Sequence, residues 1–192
     1  MKRSSVVNPF YDMDVTLQRN INNHLDQLFK NHSKILMLRV DFAYRKDSHE
    51  FSCQDIHGIT ADMVQLLIEI KNIKGLSGYI WVLEQTQTHG LHIHAAFYLN
   101  GQIRSKVWPT FADISNRWEV ITRGEGYAHR CEPKEHYFIR GEQIIDYRNH
   151  KGIAGMKYIL SYLAKQNQKE NGRVYGVSSL PERSVRGRRR HY

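Results

Sequence analysis

Apolar residues recur at helical spacing in four segments of the chain and so predict four helices. Asp14 is placed to cap the first helix, over residues 14–31, whose apolar stripe consists of Leu17, Ile21, Leu25, Leu28 and Phe29. Thr60 can cap the second helix, over residues 60–72. The third and fourth helices are predicted over residues 109–121 and 151–168.

Other apolar runs are typical of strands. The three clearest are KILMLRVDFAY, GYIWVLEQ and LHIHAAFYL, and only a short polar segment separates the last two, which predicts a hairpin. Shorter strands are predicted in YAHRCEP and EHYFIRG. This order predicts an α+β fold in which an antiparallel sheet of about five strands has its helices packed mainly on one face. The other face would then be available for a functional site.

Two histidines stand out in the strand LHIHAAFYL. Successive side chains on a strand point to opposite faces, and one face here is wholly apolar, made of Leu91, Ile93, Ala95 and Phe97. His92 and His94 fall on the opposite face, about 7 Å apart along the strand. That separation allows both imidazoles to bind one divalent cation, although hydrogen-bonded surface histidines would have the same spacing.

Glu84 strengthens the metal interpretation. Directly opposed residues of an antiparallel hairpin point to the same face, so Glu84 joins the histidines if it pairs with His92. A register slipped by one residue would bring Leu83 there instead. Two imidazoles and one carboxylate with open positions suit Mg²⁺ or Mn²⁺ in a catalytic role. His89, in the predicted turn, is either a fourth contributor or a solvent-exposed side chain.

The charge of the chain favours a polyanionic partner. It has 28 Lys and Arg residues against 19 Asp and Glu residues, a net charge of +9, which favours nucleic acid over a merely basic soluble protein. Residues 1–180 are interpreted as a single domain. Residues 181–192 form a basic tail, predicted to be disordered alone and to lie on phosphates through Arg183, Arg186, Arg188, Arg189 and Arg190.

Composition also excludes several classes. No apolar run is long enough for a membrane span, and no signal peptide is recognisable at the N-terminus. The only cysteines, Cys53 and Cys131, are far apart, which fits a reducing cytosol and excludes a cysteine-based zinc site.

The last predicted helix carries a second candidate group. Tyr158, Tyr162 and Lys165 stand at i, i+4 and i+7 and fall on one stripe, roughly opposite an aliphatic stripe of Ile153, Met156, Leu160 and Leu163. Both hydroxyls are therefore expected to face outward beside an ammonium group, either as ordinary amphipathic surface residues or as nucleophiles. A metal could polarise a scissile phosphate while Lys165 orients it, giving a phosphotyrosyl–DNA intermediate.

These two motifs together resemble those of the HUH endonucleases that initiate rolling-circle replication. His92-Ile93-His94 followed by Tyr-x-x-x-Tyr-x-x-Lys is similar to the two-tyrosine replication initiators of small single-stranded DNA phages. The setting GLHIHAAFYLNG resembles inovirus-type replication proteins and their prophage relatives of the YagK/YfjJ type. The resemblance covers roughly residues 33–168. The strand KILMLRVDFAY lacks the threonines usual in the family's first motif.

The resemblance implies an RRM-like antiparallel core, with metal at His92 and His94 and Glu84 as the acidic third ligand. It implies nicking of single-stranded DNA or an origin hairpin, with covalent attachment to the 5′ phosphate and a 3′-OH left for a DNA polymerase. Tyr162 is the first choice of nucleophile, Tyr158 the second, and Lys165 assists. The chain has no P-loop motif, so a host helicase is expected. The expected location is the cytoplasm of a bacterial host, with a phage or prophage as the encoding element.

Three alternatives stay open. A relaxase- or transposase-like enzyme of a mobile element would share the chemistry and differ in substrate. A basic DNA-binding regulator would have lost nicking while keeping DNA affinity. An RRM-like RNA binder would need sheet aromatics for base stacking, and Tyr98 is the only obvious one on the histidine face.

Overall fold

An antiparallel sheet of six strands organises this computed structural model, which describes residues 12–53, 55–86, 89–133, 141–166 and 174–180. The path through the sheet is β4-β1-β3-β2-β6, and β5 also pairs with β1. The strands are β1 (Lys34–Tyr44), β2 (Leu76–Thr86), β3 (Gly90–Asn100), β4 (Gly126–Arg130), β5 (Ile144–Asp146) and β6 (Tyr175–Val177).

The described residues also form five α-helices. They are α1 (Val15–Asn31), α2 (His49–Cys53), α3 (Ile56–Ile70), α4 (Trp108–Ile121) and α5 (His150–Ser161), which a 3₁₀ turn (Tyr162–Ala164) follows. Asp14 caps α1 as predicted, its carboxylate accepting from the backbone N–H of Thr16 at 3.0 Å. The prediction that Thr60 caps the second helix is wrong: Asp55 caps α3, and Thr60 lies inside its first turns.

Helices α3 and α4 cover the apolar face of β3 that the alternation predicts. Side chains from α3 and α4 pack with this face in one core, which includes Leu91, Ile93, Ala95, Phe97, Met63, Leu66, Ile114 and Trp118. Each of these residues is buried. The alternation of β3 therefore assigns this face correctly.

Helices α1 and α5 cover part of the opposite face, so the helices lie on both sides of the sheet rather than mainly on one. Beyond His94 the polar face of β3 continues with Ala96 and Tyr98, both fully buried. Their cover comes from a second core formed with α1 and α5, including Leu25, Leu28, Met156 and Leu160. The histidine face is thus polar at one end and apolar at the other, and α1 and α5 cover the apolar end.

The α+β class and the antiparallel sheet are confirmed, with six strands where about five are predicted. The predicted strand in YAHRCEP corresponds to β4. Most of EHYFIRG and the whole basic tail, with Arg183, Arg186, Arg188, Arg189 and Arg190, lie outside the described residues. Within the described part of the chain, none of the helices has the length and apolar character required to cross a membrane.

We predict that His24 makes the stability of the fold pH-dependent. This α1 residue is buried, its Nε2 lies 3.1 Å from the Ser178 hydroxyl, and its ring contacts Tyr98. Burial lowers the pKa of His24, partly opposed by its hydrogen bond to the Ser178 backbone. The unfolded chain therefore binds the proton more readily than the folded protein does. The stability that neutral His24 contributes to the fold is present above pH ~6.5 and is lost as pH falls below it.

Thermal denaturation of wild type and His24→Gln from neutral to mildly acidic pH measures this effect. The variant is expected to be less stable at neutral pH and to lose less stability on acidification, since glutamine does not titrate. Parallel pH profiles for the two proteins would contradict the assignment.

Candidate functional site

The β2–β3 hairpin has the register that the metal interpretation requires. Glu84 pairs with His92, and Val82 pairs with His94. The turn closes between Thr86 and Gly90, and Gly90 adopts a positive φ of 64°, which glycine accommodates without strain. Glu84 and both histidines consequently project from the same face of the sheet.

Their side chains converge on one point. The Oε2 atom of Glu84 lies 3.3 Å from Nε2 of His94 and 3.8 Å from Nε2 of His92. One ligand atom from each of the three residues lies within 4.8 Å of the others. The group is well shielded from solvent, with Glu84 1% exposed and His94 7% exposed. These three residues could hold a metal ion.

The other ring nitrogen of each histidine is bound to an oxygen. Nδ1 of His94 lies 2.5 Å from the carboxylate of Asp41, and Nδ1 of His92 lies 3.1 Å from the carbonyl oxygen of Gly90. An Nδ1–H that donates to these acceptors leaves each Nε2 directed at Glu84. This is the arrangement usual for metal-binding histidines, whose second nitrogen donates to a carboxylate or a backbone carbonyl. The donor set therefore fits a divalent cation.

Asp41 was missed in the sequence because its partner is far away in the chain. It lies on β1, directly opposite His94 on β3. The available signal is that Asp41 is the only acidic residue in the largely apolar strand KILMLRVDFAY. That signal becomes informative only when β1 is known to neighbour β3.

The two histidines differ in their affinity for protons. Burial disfavours the charge on His94, but hydrogen bonds to Asp41 and Glu84 outweigh burial and raise its pKa. Burial and the neighbouring His94 lower the pKa of His92. Protons and a metal ion would compete for the imidazole nitrogens of this site, so metal affinity should weaken as pH falls.

Lys165 and Tyr162 adjoin the same cluster. Nζ of Lys165 lies 3.3 Å from Oε2 of Glu84 and donates a hydrogen bond to the Tyr162 hydroxyl at 2.6 Å. The Tyr162 ring stands edge-on to the His94 ring, with 5.4 Å between centroids. The structure thus brings two of the three residues from the predicted tyrosine stripe to the candidate metal ligands.

The last helix is shorter than predicted, so Lys165 does not continue the helical stripe that begins at Tyr158. Helix α5 ends at Ser161, and Lys165 has extended backbone that forms a bridge with Met13. Tyr158 is half-buried on α5, and no contact described for it reaches Glu84 or the histidines. The three side chains predicted to share a stripe at i, i+4 and i+7 are therefore arranged differently.

Arg39 is a second residue that the sequence analysis missed. It is half-buried on β1, and its guanidinium carbon lies 5.9 Å from the centre of the Tyr162 ring. His89 is exposed beside His92, with 6.3 Å between ring centroids, but does not belong to the three-ligand group.

We predict that Asp41→Asn weakens Mn²⁺ binding about 10- to 100-fold, the usual effect of removing the carboxylate that orients a metal-binding histidine. Isothermal titration calorimetry measures it. The matched control is Asp62→Asn, since Asp62 also accepts a short side-chain hydrogen bond, from Tyr44, on the opposite face of the sheet. Equal Mn²⁺ affinity in the two variants would exclude the proposed role of Asp41.

Comparison with known proteins assigns no family. No protein-family model matches the chain, no curated protein matches it, and no solved structure matches it.

Proposed function

We propose that the protein is a divalent-metal-dependent endonuclease that nicks and rejoins single-stranded DNA through a covalent 5′-phosphotyrosine intermediate. The observation that carries this proposal is the meeting of Tyr162, Lys165 and the Glu84–His92–His94 group at one place on the sheet. A nucleophile, a cation and a set of metal-binding side chains are the components that phosphoryl transfer to tyrosine requires.

Mg²⁺ or Mn²⁺ is the proposed cofactor, held by Glu84, His92 and His94. When bound, such an ion acts as a Lewis acid that polarises the phosphate and stabilises the charge developing on its oxygens. Asp41 and the carbonyl of Gly90 orient the two imidazoles so that each Nε2 is directed at Glu84, where the ion would be held. Glu84 is 1% exposed, so little water surrounds its carboxylate and the attraction between this carboxylate and a cation is stronger than it would be in solvent.

Tyr162 is the proposed nucleophile. Its oxygen attacks the scissile phosphorus, a Tyr162 O–P bond forms and the bond from phosphorus to the 3′ oxygen breaks. Tyr162 gives up its phenolic proton and the departing 3′ oxygen takes up one, so the products are a 5′-phosphotyrosyl strand and a free 3′-hydroxyl. Because the bond to tyrosine keeps the phosphodiester energy, attack by a 3′-hydroxyl can rejoin the DNA.

Lys165 supplies the positive charge next to the nucleophile. It donates its hydrogen bond to the oxygen that attacks, and thereby stabilises negative charge on that oxygen. Only 4% of Lys165 is exposed, so solvent screens this charge weakly. Its contact with Glu84 links the tyrosine to the candidate metal ligands.

The biological role that we propose is initiation of rolling-circle replication. A net charge of +9 favours binding to DNA, and the spacing of the histidine and tyrosine motifs is similar to that of two-tyrosine initiators. In this role the substrate is single-stranded DNA or an origin hairpin, a host helicase unwinds the duplex, and a DNA polymerase extends the 3′-hydroxyl. The encoding element is a phage or prophage, and the reaction takes place in the host cytoplasm.

Two alternatives differ from this proposal in identifiable ways. A relaxase- or transposase-like nuclease would perform the same chemistry on another substrate. A DNA-binding regulator would bind DNA without cleaving it. The close contact between Tyr162 and Lys165 favours an enzyme, since DNA affinity alone does not require an ammonium group at a tyrosine oxygen.

We predict that Tyr162→Phe eliminates the covalent protein–DNA adduct, because phenylalanine lacks the attacking oxygen. Labelled single-stranded DNA from the origin region, incubated with Mn²⁺ and separated on a denaturing gel, reveals the adduct. Tyr158→Phe is the matched control and is expected to form the adduct as wild type does, because Tyr162 is intact. An undiminished adduct in Tyr162→Phe would reassign the nucleophile.

We also predict that His92→Ala abolishes metal-dependent cleavage while most of the DNA affinity remains, since it removes a metal ligand and no positive charge needed for phosphate binding. Cleavage is measured on the same gel, and DNA affinity by fluorescence anisotropy. Full cleavage by this variant would rule out the metal centre. Binding by wild type without an adduct, with either Mg²⁺ or Mn²⁺, would favour the regulator.

A further inference from the structure

We propose that single-stranded DNA crosses the sheet from Tyr162 over β1 to the edge strand β4, where Tyr127 stacks on a base. On this path Arg39 binds a phosphate next to the nucleophile. The inference rests on the proposed nicking function and adds to it a binding subsite, its chemistry and the direction in which the strand leaves the metal cluster.

The strand pairing places Tyr127 on the same face as the metal cluster. Ala43 on β1 pairs with His92 on one side and with Tyr127 on the other. In the neighbouring row, Asp41 pairs with His94 and with His129. Because directly opposed residues of antiparallel strands point to the same face, Tyr127 and His129 extend the surface that carries the histidines. Two interstrand spacings separate Tyr127 from His92, about 10 Å.

The exposure of these side chains suits a polynucleotide. Tyr127 is 41% exposed on an edge strand, and His129 beside it is also exposed. Between Tyr127 and His92 the paired row contains the small side chain of Ala43, which is buried, so a bound strand would pass above it. An aromatic ring in such a position offers a stacking surface to any base, because every base has a π-face.

The opposite direction across the sheet is occupied by other parts of the protein. On the β2 side of the cluster, β6 pairs with β2, and Tyr175 on β6 faces the same way as Val82. The Tyr175 hydroxyl accepts a hydrogen bond from Asn20 of α1 at 3.2 Å. Lys165 lies against Glu84 on β2. Contacts within the protein therefore use the β2 side, whereas Tyr127 and His129 on the β4 side are exposed in the part of the chain that the structure describes.

Arg39 supplies a cation at the start of this path. It shares the face of Asp41 on β1, and its guanidinium lies against the ring of the proposed nucleophile. Its planar fork of N–H donors matches the geometry of phosphate oxygens. A phosphate held there would lie next to the proposed nucleophile Tyr162.

The path is tested by measuring the affinity of the protein for two labelled oligomers of equal length, an oligothymidylate and an abasic one. A chelator removes metal ions so that no cleavage occurs. Tyr127→Ala is expected to weaken oligothymidylate binding about 10-fold or more, the usual effect of losing one stacked base, and to leave the abasic oligomer unaffected. Tyr127→Phe keeps the ring and should bind both as wild type does. Arg39→Gln should weaken both oligomers and reduce the salt dependence of binding, since its contact is to phosphate.

The matched control is Trp108→Ala. Trp108 is 57% exposed, but it belongs to α4 on the other face of the sheet, where its ring packs against Arg130. This variant should bind both oligomers as wild type does. If Tyr127→Ala binds oligothymidylate as tightly as Trp108→Ala, the stacking subsite is wrong.

A separate readout distinguishes this inference from the proposed function. Cleavage of labelled single-stranded DNA by wild type with Mn²⁺ tests the nickase alone. Wild type that cleaves DNA while Tyr127→Ala shows no base-dependent loss of binding overturns the path and leaves the nickase intact. Base-dependent binding through Tyr127 without cleavage overturns the nickase and supports the path.

Discussion

The buried carboxylate of Glu84 is the constraint on which the site depends. Removing a charged group from water costs several kcal/mol, which a folded protein recovers only when other charges and donors surround the group. Here an ammonium group from Lys165 and the imidazole of His94 approach the same oxygen. The ion pair between Lys165 and Glu84, together with apolar packing, therefore holds the segment after α5 against the hairpin.

The two faces of the sheet differ in the side chains that they present to the helices. The apolar face packs continuously against α3 and α4 through Leu91, Ile93, Ala95 and Phe97. The other face is divided between a polar end with His92 and His94 and an apolar end with Tyr98, and α1 and α5 pack against the apolar end. A reactive group needs water excluded from part of its surroundings and access to substrate from the rest, and this division provides both.

Local patterns in the sequence predict much of this arrangement. Alternation in GLHIHAAFYLNG identifies the strand and its apolar face. The short connection to the preceding strand predicts a hairpin, and the metal interpretation requires that Glu84 pairs with His92 in it, as the structure shows. Hairpin register is a local property, set by a few residues at the turn. The antiparallel α+β class follows in the same way from the order of the elements.

Interactions between distant segments were not predictable in this way. Asp41 and Arg39 join the site because β1 lies beside β3, and no pattern within KILMLRVDFAY specifies that neighbour. The early end of α5 likewise depends on the start of the chain, since a helical pattern continues past Ser161 in the sequence. Helical spacing therefore predicted one stripe of Tyr158, Tyr162 and Lys165, whereas Lys165 has extended backbone beyond the end of the helix.

The backbone bonds between the beginning of α1 and the segment after Tyr162 have a consequence for biosynthesis. The N–H of Asp14 donates to the carbonyl of Ala164, and the N–H of Gln166 donates to that of Asp12. A ribosome makes the hairpin with the histidines long before it makes residue 166, and folding during synthesis proceeds from the N-terminal side. The segment with Tyr162 and Lys165 is therefore the last part of the site to be synthesised, and a partly synthesised chain contains the candidate metal ligands before it contains this tyrosine.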